Sequence, residues 1–315
     1  MFRHTGVDEE WYTVTMEAIK KLNHEKRDIV HSKDYKVGHS IESKKKQVKK
    51  GGVKEAVKIL KKHMKFKKGK KYSMAPFLQS GRRKDNNPDY FCEDKIAVYT
   101  CIVGKYDGLQ EPLFKPDNVD YYAITDFDIP ENSLWKRIDV SDYDDILKDM
   151  TPVLKNRYFK MHPEKVFKDY KYSIYIDGNI RVCSDMTEYV NYMKRSIATF
   201  KHAQRECVYQ ECMANLKMSK VPAEDVKEQI RYLKKQNLPE NYGLANCNVI
   251  VREHNNPECI SCMDMWWEEF KAHVKRDQLS FPLVLMKNDI PMKDVTVLGT
   301  NVYREDSFEV VDHIV

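Results

Sequence analysis

Asp177-Gly178-Asn179 is the segment of this sequence with the clearest capacity for chemistry. It directly follows the apolar run Tyr172–Ile176, which has the length and composition of a buried strand. Alternation along a strand would place the side chains of Asp177 and Asn179 on the same side, with Gly178 allowing close approach of a phosphate. A carboxylate and an amide oxygen suit a hard cation, Mg²⁺ or Mn²⁺, that takes its other ligands from water and a diphosphate. A plain turn remains the alternative, because Asp-Gly and Gly-Asn are common turn pairs.

The composition indicates a globular protein without a membrane span. The chain has 315 residues, of which 42% are hydrophobic and 32% charged, enough for one large or two medium domains. No apolar run approaches the roughly 18 to 20 residues that cross a bilayer, and the N-terminus lacks the apolar segment of a signal peptide. We therefore expect a cytoplasmic protein, either free or peripheral to a membrane surface; the alternative is that a targeting segment is missing from this sequence. Cys259 and Cys262 have zinc-like spacing, with ordinary buried thiols as the alternative.

Charge divides the chain into two unlike parts. Residues 1–94 contain 24 Lys and Arg against 13 Asp and Glu, whereas residues 95–315 contain 30 against 35. Residues 44–71 hold fourteen lysines and one acid, and apolar residues recur at helical spacing within 8–25 and 53–66. We predict a basic, mainly helical N-terminal extension at 1–90. The tract at 44–71 could contact nucleic acid or an anionic membrane surface, and a solvated helix pair packed on the main domain is the alternative.

From Lys95 onward, the pattern alternates between strands and helices. Strands are predicted at 96–103, 120–126, 171–176 and 248–252, and helices at 151–166, 187–200 and 256–274. Such alternation indicates an α/β fold, with a mostly parallel sheet covered by helices on both faces. Ligands bind beyond the carboxyl ends of the strands in sheets of this kind. Residues 100–107, Asp126 and Asp177 lie at such ends.

Six segments, in this order, resemble the turgor-regulation and mucilage-related (TOD/MUCI) glycosyltransferase-like domains. The segments are 97–107, 122–126, 155–163, 172–179, 205–211 and 276–281. The resemblance covers about residues 95–300 and leaves residues 1–90 outside. It implies a GT-A type, Rossmann-like domain at 91–315 and a hexosyltransferase-like enzyme. Its donor would be a nucleoside diphosphate sugar, and its acceptor a hydroxyl of a glycan, lipid or protein.

The resemblance also implies roles for residues at the strand ends. Asp177-Gly178-Asn179 would be the motif that holds Mn²⁺ or Mg²⁺ against the diphosphate, and asparagine in its last place lowers the charge and the expected metal affinity. The groups expected to bind the nucleotide are Thr100, Cys101, Val103, Tyr106, Asp126, Arg157, Lys160, Asp177 and Gly178. Arg157 and Lys160 lie one helical turn apart and would face the phosphates, unless they are surface cations. Asp126 could instead cap its own loop.

Arg276-Asp277-Gln278 is the main candidate for the reacting centre. Arg276 beside Asp277 would keep the carboxylate ionised, as a general base or as an anchor for sugar hydroxyls. The alternative is that Asp277 caps a helix that starts at Gln278 or Leu279. Glu211 and His202 are second-rank candidates. His313 could complete the metal shell, with an unordered C-terminal tail as the alternative.

A non-catalytic protein is the competing hypothesis for the whole chain. In that case the lysine-rich tract would make it a nucleic-acid or membrane-surface adaptor, and the nucleotide-sugar fold would be degenerate. Binding by the tract would then depend steeply on salt.

Overall fold

A computed structural model of the chain describes residues 92–104, 106–299, 302–305, 307–311 and 313. The helices predicted within 8–25 and 53–66, the lysine-rich tract at 44–71 and the domain boundary near residue 90 lie outside these residues, so they stay predictions. In the part of the chain that is described, no helix combines the length and apolarity needed to cross a bilayer.

The described residues form eight strands. In chain order they are β1 (Ile96–Ile102), β2 (Val119–Thr125), β3 (Trp135–Asp139), β4 (Tyr172–Ile176), β5 (Ile180–Val182), β6 (Ile197–Lys201), β7 (Ala245–Arg252) and β8 (Phe308–Val310). Six of them form one sheet in the order β3-β2-β1-β4-β7-β6, and β5 pairs with β8 in a separate ribbon. Strands β3, β2, β1 and β4 are parallel, and β7 runs antiparallel to both of its neighbours. This is the mostly parallel α/β sheet that the sequence predicts.

Strand β1 lies in the middle of this sheet because both of its faces are apolar. All seven of its residues are buried. Ala97, Tyr99 and Cys101 belong to one apolar cluster, whereas Ile96 and Val98 belong to another. Alternate side chains therefore enter the two layers that cover the sheet, as expected for a parallel strand buried on both faces.

Seven α-helices flank the sheet in the described residues. They are α1 (Asp144–Leu147), α2 (Pro152–Met161), α3 (Val208–Lys217), α4 (Ala223–Lys235), α5 (Pro257–Ala272), α6 (Asp277–Lys287) and α7 (Met292–Val295). Helix α2 starts where Thr151 Oγ1 accepts a hydrogen bond from Leu154 N, with proline at the first helical position. It ends at Met161, earlier than predicted, because Pro163 disfavours helical geometry in the residue before it.

The prediction of a helix at 187–200 is wrong. A short 3₁₀ helix spans Thr187–Tyr192, and the chain then enters strand β6. Tertiary pairing decides the outcome, because Ile197, Ala198 and Thr199 pair with β7 and Thr199 Oγ1 also donates to Val249 O. Strand β3 and helix α4 are not predicted from the sequence. Strand β3 is largely polar and shows little alternation, whereas α4 is amphipathic, with Val226 and Leu233 on its buried face, so the helical signal of α4 is present in the sequence and the prediction omits it.

Candidate active site

Asp177 lies directly after β4, at the carboxyl end of the parallel strands. Its backbone N donates to Asn248 O on β7 at 2.9 Å, and its own carbonyl accepts from Ile180 N at 2.9 Å. The carboxylate is fixed as well, because the Tyr175 hydroxyl donates to Asp177 Oδ1 at 3.0 Å. The buried strand thus ends in a half-buried, oriented carboxylate, in the place that the sequence predicts.

Lys160 joins this carboxylate to a second one. It lies on α2 and is 1% exposed. Its Nζ is 2.7 Å from Asp277 Oδ2 and 3.4 Å from Asp177 Oδ1, and it sits 4.8 Å from the centre of the Tyr175 ring. A buried ammonium requires such partners, because an unpaired buried charge is costly. Lys160 is therefore not a surface cation, and it brings together the two carboxylates singled out in the sequence.

Asp277 is held as an anion by cations from α2. Arg157 Nε lies 3.2 Å from Asp277 Oδ2, in an ion pair without good hydrogen-bond alignment. Burial opposes ionisation, but the charges of Arg157 and Lys160 outweigh it and hold the pKa of Asp277 well below its usual range. A carboxylate with so low a pKa is a poor proton acceptor at neutral pH. The geometry thus favours the anchoring role of Asp277 over the role of general base.

The neighbours of Asp277 correct two expectations. Arg276 contributes charge, but the ion-pair partners of Asp277 are Arg157 and Lys160. The capping alternative is also wrong, because α6 begins at Asp277 itself and Arg276 occupies the N-cap position. Gln278 has a structural contact, in which its Nε2 donates to Ala245 O on β7 at 2.7 Å. Helix α6 is thereby tied to the strand that also holds Asp177.

The turn after Asp177 packs closely against the end of β1. A Cβ on Gly178 would lie 2.9 Å from Ile102 Cγ1 and 3.3 Å from Asp107 Cβ, so the close approach requires glycine. Asn179 Nδ2 donates to Val311 O at 3.0 Å, and Val311 N donates to Asn179 O at 2.9 Å. The ribbon formed by β5 and β8 therefore fixes the third residue of the motif.

His313 is brought to the same place by the strand pairing of β8. Its Nδ1 lies 2.8 Å from Asp107 Oδ1, and its ring stacks obliquely near Tyr106 with the centroids 5.3 Å apart. The structure thus orders His313 beside the turn, rather than in an unordered tail. Asp107 is a site residue to which the sequence analysis assigns no role. The signal for it in the sequence is its place in the segment 100–107 at the carboxyl end of the first predicted strand.

The residues at the end of β1 are placed differently from one another. The side chains of Thr100 and Cys101 are buried within the strand, and Asn156 Nδ2 donates to Cys101 O. Val103 is buried and Tyr106 is 55% exposed, so the loop after the strand is the accessible part. Asp126 Oδ2 accepts from Gly104 N at 2.9 Å, and this contact anchors the loop. The Asp126 side chain therefore caps the loop that follows β1, and not the loop that contains Asp126 itself.

Glu211 and His202 lie in a separate cluster at the start of α3. Glu211 is buried, with Oε2 accepting from Arg205 Nε and Oε1 accepting from Asn215 Nδ2 at 2.9 Å. His202 Nε2 is 3.7 Å from Glu211 Oε2. Burial and the charge of Arg205 lower the pKa of His202 to about 3. The imidazole is therefore neutral at physiological pH.

A divalent cation fits the Asp177 turn if most of its ligands come from a bound diphosphate and water. Within the described residues, no three His, Cys, Asp or Glu side chains are grouped to hold a metal, and Cys259 and Cys262 are buried thiols. Asp177 Oδ2 and the amide oxygen of Asn179 remain as oxygen donors. When His313 Nδ1 donates to Asp107, its Nε2 lone pair is directed elsewhere, which is the usual arrangement of a ligating histidine. This donor set suits Mn²⁺ or Mg²⁺ at a phosphate site.

Comparison with known proteins gives a family match over much of this region. The family model of the TOD1/MUCI70 glycosyltransferase-like domain matches residues 132–313, which is more than half of the chain. No curated protein matches significantly.

Solved structures resemble the chain only distantly. WbbM, a bifunctional glycosyltransferase, has a TM-score of 0.41 at 16% identity, and the match covers 68% of this chain and 40% of that one. Mouse xyloside xylosyltransferase 1 has a TM-score of 0.36 at 11% identity, covering 64% of this chain and 83% of the other. This chain thus spans less than half of WbbM. Similarities at this level carry no information on substrate.

Proposed function

The chain belongs to the TOD1/MUCI70 family of glycosyltransferase-like domains, and from that premise we propose that it transfers a sugar from a nucleoside diphosphate to an acceptor hydroxyl. One observation carries the proposal. Asp177 and Asp277 lie on either side of the buried Lys160 ammonium, at the carboxyl end of the parallel strands. Ligand sites in open α/β sheets occur at this edge.

The reaction assigns distinct tasks to the residues of the cluster. The bond between the anomeric carbon and the diphosphate breaks, the acceptor oxygen bonds to that carbon, and the hydroxyl proton leaves to a base. The departing diphosphate gains charge, which the partly exposed Arg157 would stabilise. Asp277 remains ionised and would accept hydrogen bonds from hydroxyls of the donor sugar. Lys160 would fix the positions of both carboxylates.

In this proposal Asp177, Asn179 and His313 would hold Mn²⁺ or Mg²⁺ against the diphosphate. The cation would neutralise charge on the leaving group. Asp107 would orient His313 through the Nδ1 hydrogen bond, as carboxylates do for metal-ligating histidines. The loop containing Tyr106 would lie beside the nucleotide, since it is exposed at the end of β1.

Asp177→Ala tests the proposal directly. We expect the intact protein to be thermally stabilised by a nucleoside diphosphate, more strongly with Mn²⁺ than without, because a ligand that binds the native state raises its melting temperature. In Asp177→Ala, the Mn²⁺-dependent part of the shift and the sugar transfer should both be lost. Asp149→Ala removes an exposed carboxylate of α1's flanking loop and serves as the control.

Calorimetry that finds equal metal and nucleotide affinity in a folded Asp177→Ala variant would contradict the assignment. If no nucleoside diphosphate binds the wild-type protein, while polyanions bind it with a steep salt dependence, the adaptor hypothesis is favoured instead.

A further inference from the structure

The last turn of α2 leaves two backbone carbonyls without partners in the helix. If the helix continued, the carbonyls of Phe159 and Lys160 would accept hydrogen bonds from the N–H groups of residues 163 and 164. Position 163 is a proline, which has no N–H, and α2 ends at Met161. Phe159 is 0% exposed and Lys160 1%, so water cannot reach these carbonyls and other protein groups must satisfy them.

Two strands supply the donors. Tyr99 on β1 donates its hydroxyl hydrogen to Phe159 O at 3.0 Å. Arg252 on β7 donates from Nη1 to Lys160 O at 2.6 Å and from Nη2 to the Tyr99 hydroxyl at 2.5 Å. Strand β4 lies between β1 and β7 in the sheet. The last turn of α2 is thus held from both sides of the strand that ends at Asp177.

Arg252 is a fully buried cation without a counter-ion among the described residues. It is 0% exposed and forms no ion pair there, and its remaining hydrogen bond goes to Met263 Sδ at 3.3 Å. Arginine stays charged in proteins, and an unpaired buried charge is costly. Carbonyls at the end of a helix favour a nearby cation, which offsets part of this cost. Replacing a buried charge by an apolar residue is often neutral or stabilising, so packing alone does not require arginine here.

The carbonyl that Arg252 holds belongs to the residue that joins the two carboxylates of the site. Lys160 Nζ lies 2.7 Å from Asp277 Oδ2 and 3.4 Å from Asp177 Oδ1. Because the lysine side chain is long and flexible, this placement depends on a fixed backbone position. A shift of the last turn of α2 would move the ammonium relative to both acids.

We propose that Arg252 is a positioning residue of the candidate active site, which holds Lys160 O and thereby keeps the Lys160 ammonium between Asp177 and Asp277. Tyr99 completes this support from β1. The effect of Arg252 on sugar transfer rests on the proposed function, whereas its effect on the place of Lys160 does not. Since the Tyr175 hydroxyl also holds Asp177, loss of the support should act mainly on Asp277.

Labelling of the full-length protein with an amine-reactive acylating reagent, followed by peptide mass spectrometry, tests the place of Lys160. In the wild-type protein, Lys160 should react far more slowly than the exposed Lys235. In Arg252→Met, Lys160 should react faster by about tenfold or more, because its side chain is released from the buried cluster. Tyr99→Phe removes a single hydroxyl and should act in the same direction, so it replaces Arg252→Met if that variant does not fold.

Two controls separate positioning from general stability. The buried Cys212 thiol in α3 reports opening of the fold as a whole, and its reactivity should change much less than that of Lys160. His254→Gln is the matched variant, because His254 is also buried on this side of the chain but its hydrogen bond goes to Phe167 O, outside α2. If Lys160 reacts as slowly in the Arg252 and Tyr99 variants as in the wild type, the proposal is wrong. It is also wrong if Lys160 and Cys212 accelerate by the same factor.

Turnover and nucleotide affinity give the functional measurement. Arg252→Met should lower turnover by about tenfold or more and leave nucleotide affinity within about threefold, because small displacements of groups at the reacting centre are costly. His254→Gln should leave both quantities within about twofold of wild type. Unchanged turnover in a folded Arg252→Met variant would contradict the positioning role. If the wild-type protein transfers no sugar from any nucleoside diphosphate, the proposed function fails, and the labelling still decides what holds Lys160.

Discussion

Lys160 is the residue on which the geometry of the site depends. One ammonium serves two carboxylates, and it is almost completely removed from solvent. Coulomb attraction in such a place is strong, but so is the cost of desolvating the charges. The net stability gained from the cluster is therefore modest. The loss on removing one member is large, because the others are left buried without a partner.

Lys160→Met should accordingly lower the free energy of unfolding by about 3 kcal/mol. This value is at the lower end of the range for breaking a buried ion pair, because Arg157 still neutralises part of the Asp277 charge. Urea unfolding measures this loss. Adding Asp277→Asn removes the orphaned carboxylate, so the double variant should be more stable than Lys160→Met alone. If the double variant is less stable than the single one, packing of the lysine chain rather than its charge decides the effect.

Asp277→Asn should lower turnover by orders of magnitude and leave nucleotide affinity within a few-fold, since the anchoring role begins after the diphosphate is bound. The pH profile gives a second measurement. Because Arg157 and Lys160 hold the pKa of Asp277 well below its usual range, the wild-type rate should show no loss attributable to Asp277 between pH 5 and 8. If the wild-type rate instead falls toward acidic pH between pH 8 and 5, and this fall is absent in Asp277→Asn, Asp277 is the general base.

At the scale of elements, strand β7 connects the two halves of the site. Gln278 Nε2 donates to Ala245 O and the backbone N of Asp177 donates to Asn248 O, so the segment 245–248 holds both Asp177 and the residue after Asp277. Within it, Cys247 adopts a φ of 57° and is buried. A residue other than glycine in this left-handed region is strained, by roughly 1–2 kcal/mol. Near the segment, the pairing of β6 with β7 also shifts register.

Cys247→Gly and Cys247→Ala should reverse the usual order of stability. In a strand, glycine is normally about 0.5–1 kcal/mol less stable than alanine. At Cys247 alanine retains the strain and glycine relieves it, so the glycine variant should melt at the same or a higher temperature. The same pair of substitutions at Cys101, a buried strand cysteine without positive φ, should keep the normal order. If the alanine variant has a clearly higher melting temperature than the glycine variant at both positions, the backbone at Cys247 is not strained.

The elements that the sequence identifies are those with a strong local signal. The cores of β1, β2, β4 and β7 are apolar runs, and their predicted bounds lie within three residues of the observed ones. Asp177 is placed correctly because a strand end is a local feature. The contact of Lys160 with Asp277 could not be predicted, since helices α2 and α6 are distant in sequence and meet only through packing. The same holds for His313 and Asp107, which the pairing of β8 with β5 brings together.

At the scale of the whole molecule, histidines with lowered pKa values couple folding to pH; among the described residues these are His162, His202 and His254. His202 and His254 have their pKa values lowered to about 3 and about 4, mainly by burial. His254 Nε2 lies 2.8 Å from Phe167 O, a contact in which it must donate, and its Nδ1 is buried without a partner. Protonation of His254 would thus create an uncompensated buried charge. Both histidines therefore stay neutral in the folded protein at pH values where they are charged in the unfolded chain.

Stability should fall as the pH drops from about 7 to 5. Below an unfolded pKa of about 6.5 the unfolded state binds more protons than the native state, so the free energy of unfolding decreases with decreasing pH. Each histidine should lower the free energy of unfolding at pH 5 by on the order of 2 kcal/mol. Protonation of Asp277 lowers it only below about pH 4. Urea midpoints measured between pH 7.5 and 5 test this. His202→Gln and His254→Gln should each flatten the slope, whatever they cost at pH 7.5 through packing. An unchanged slope in both variants would mean that other groups govern the response, because a glutamine cannot take up the proton that the unfolded histidine binds.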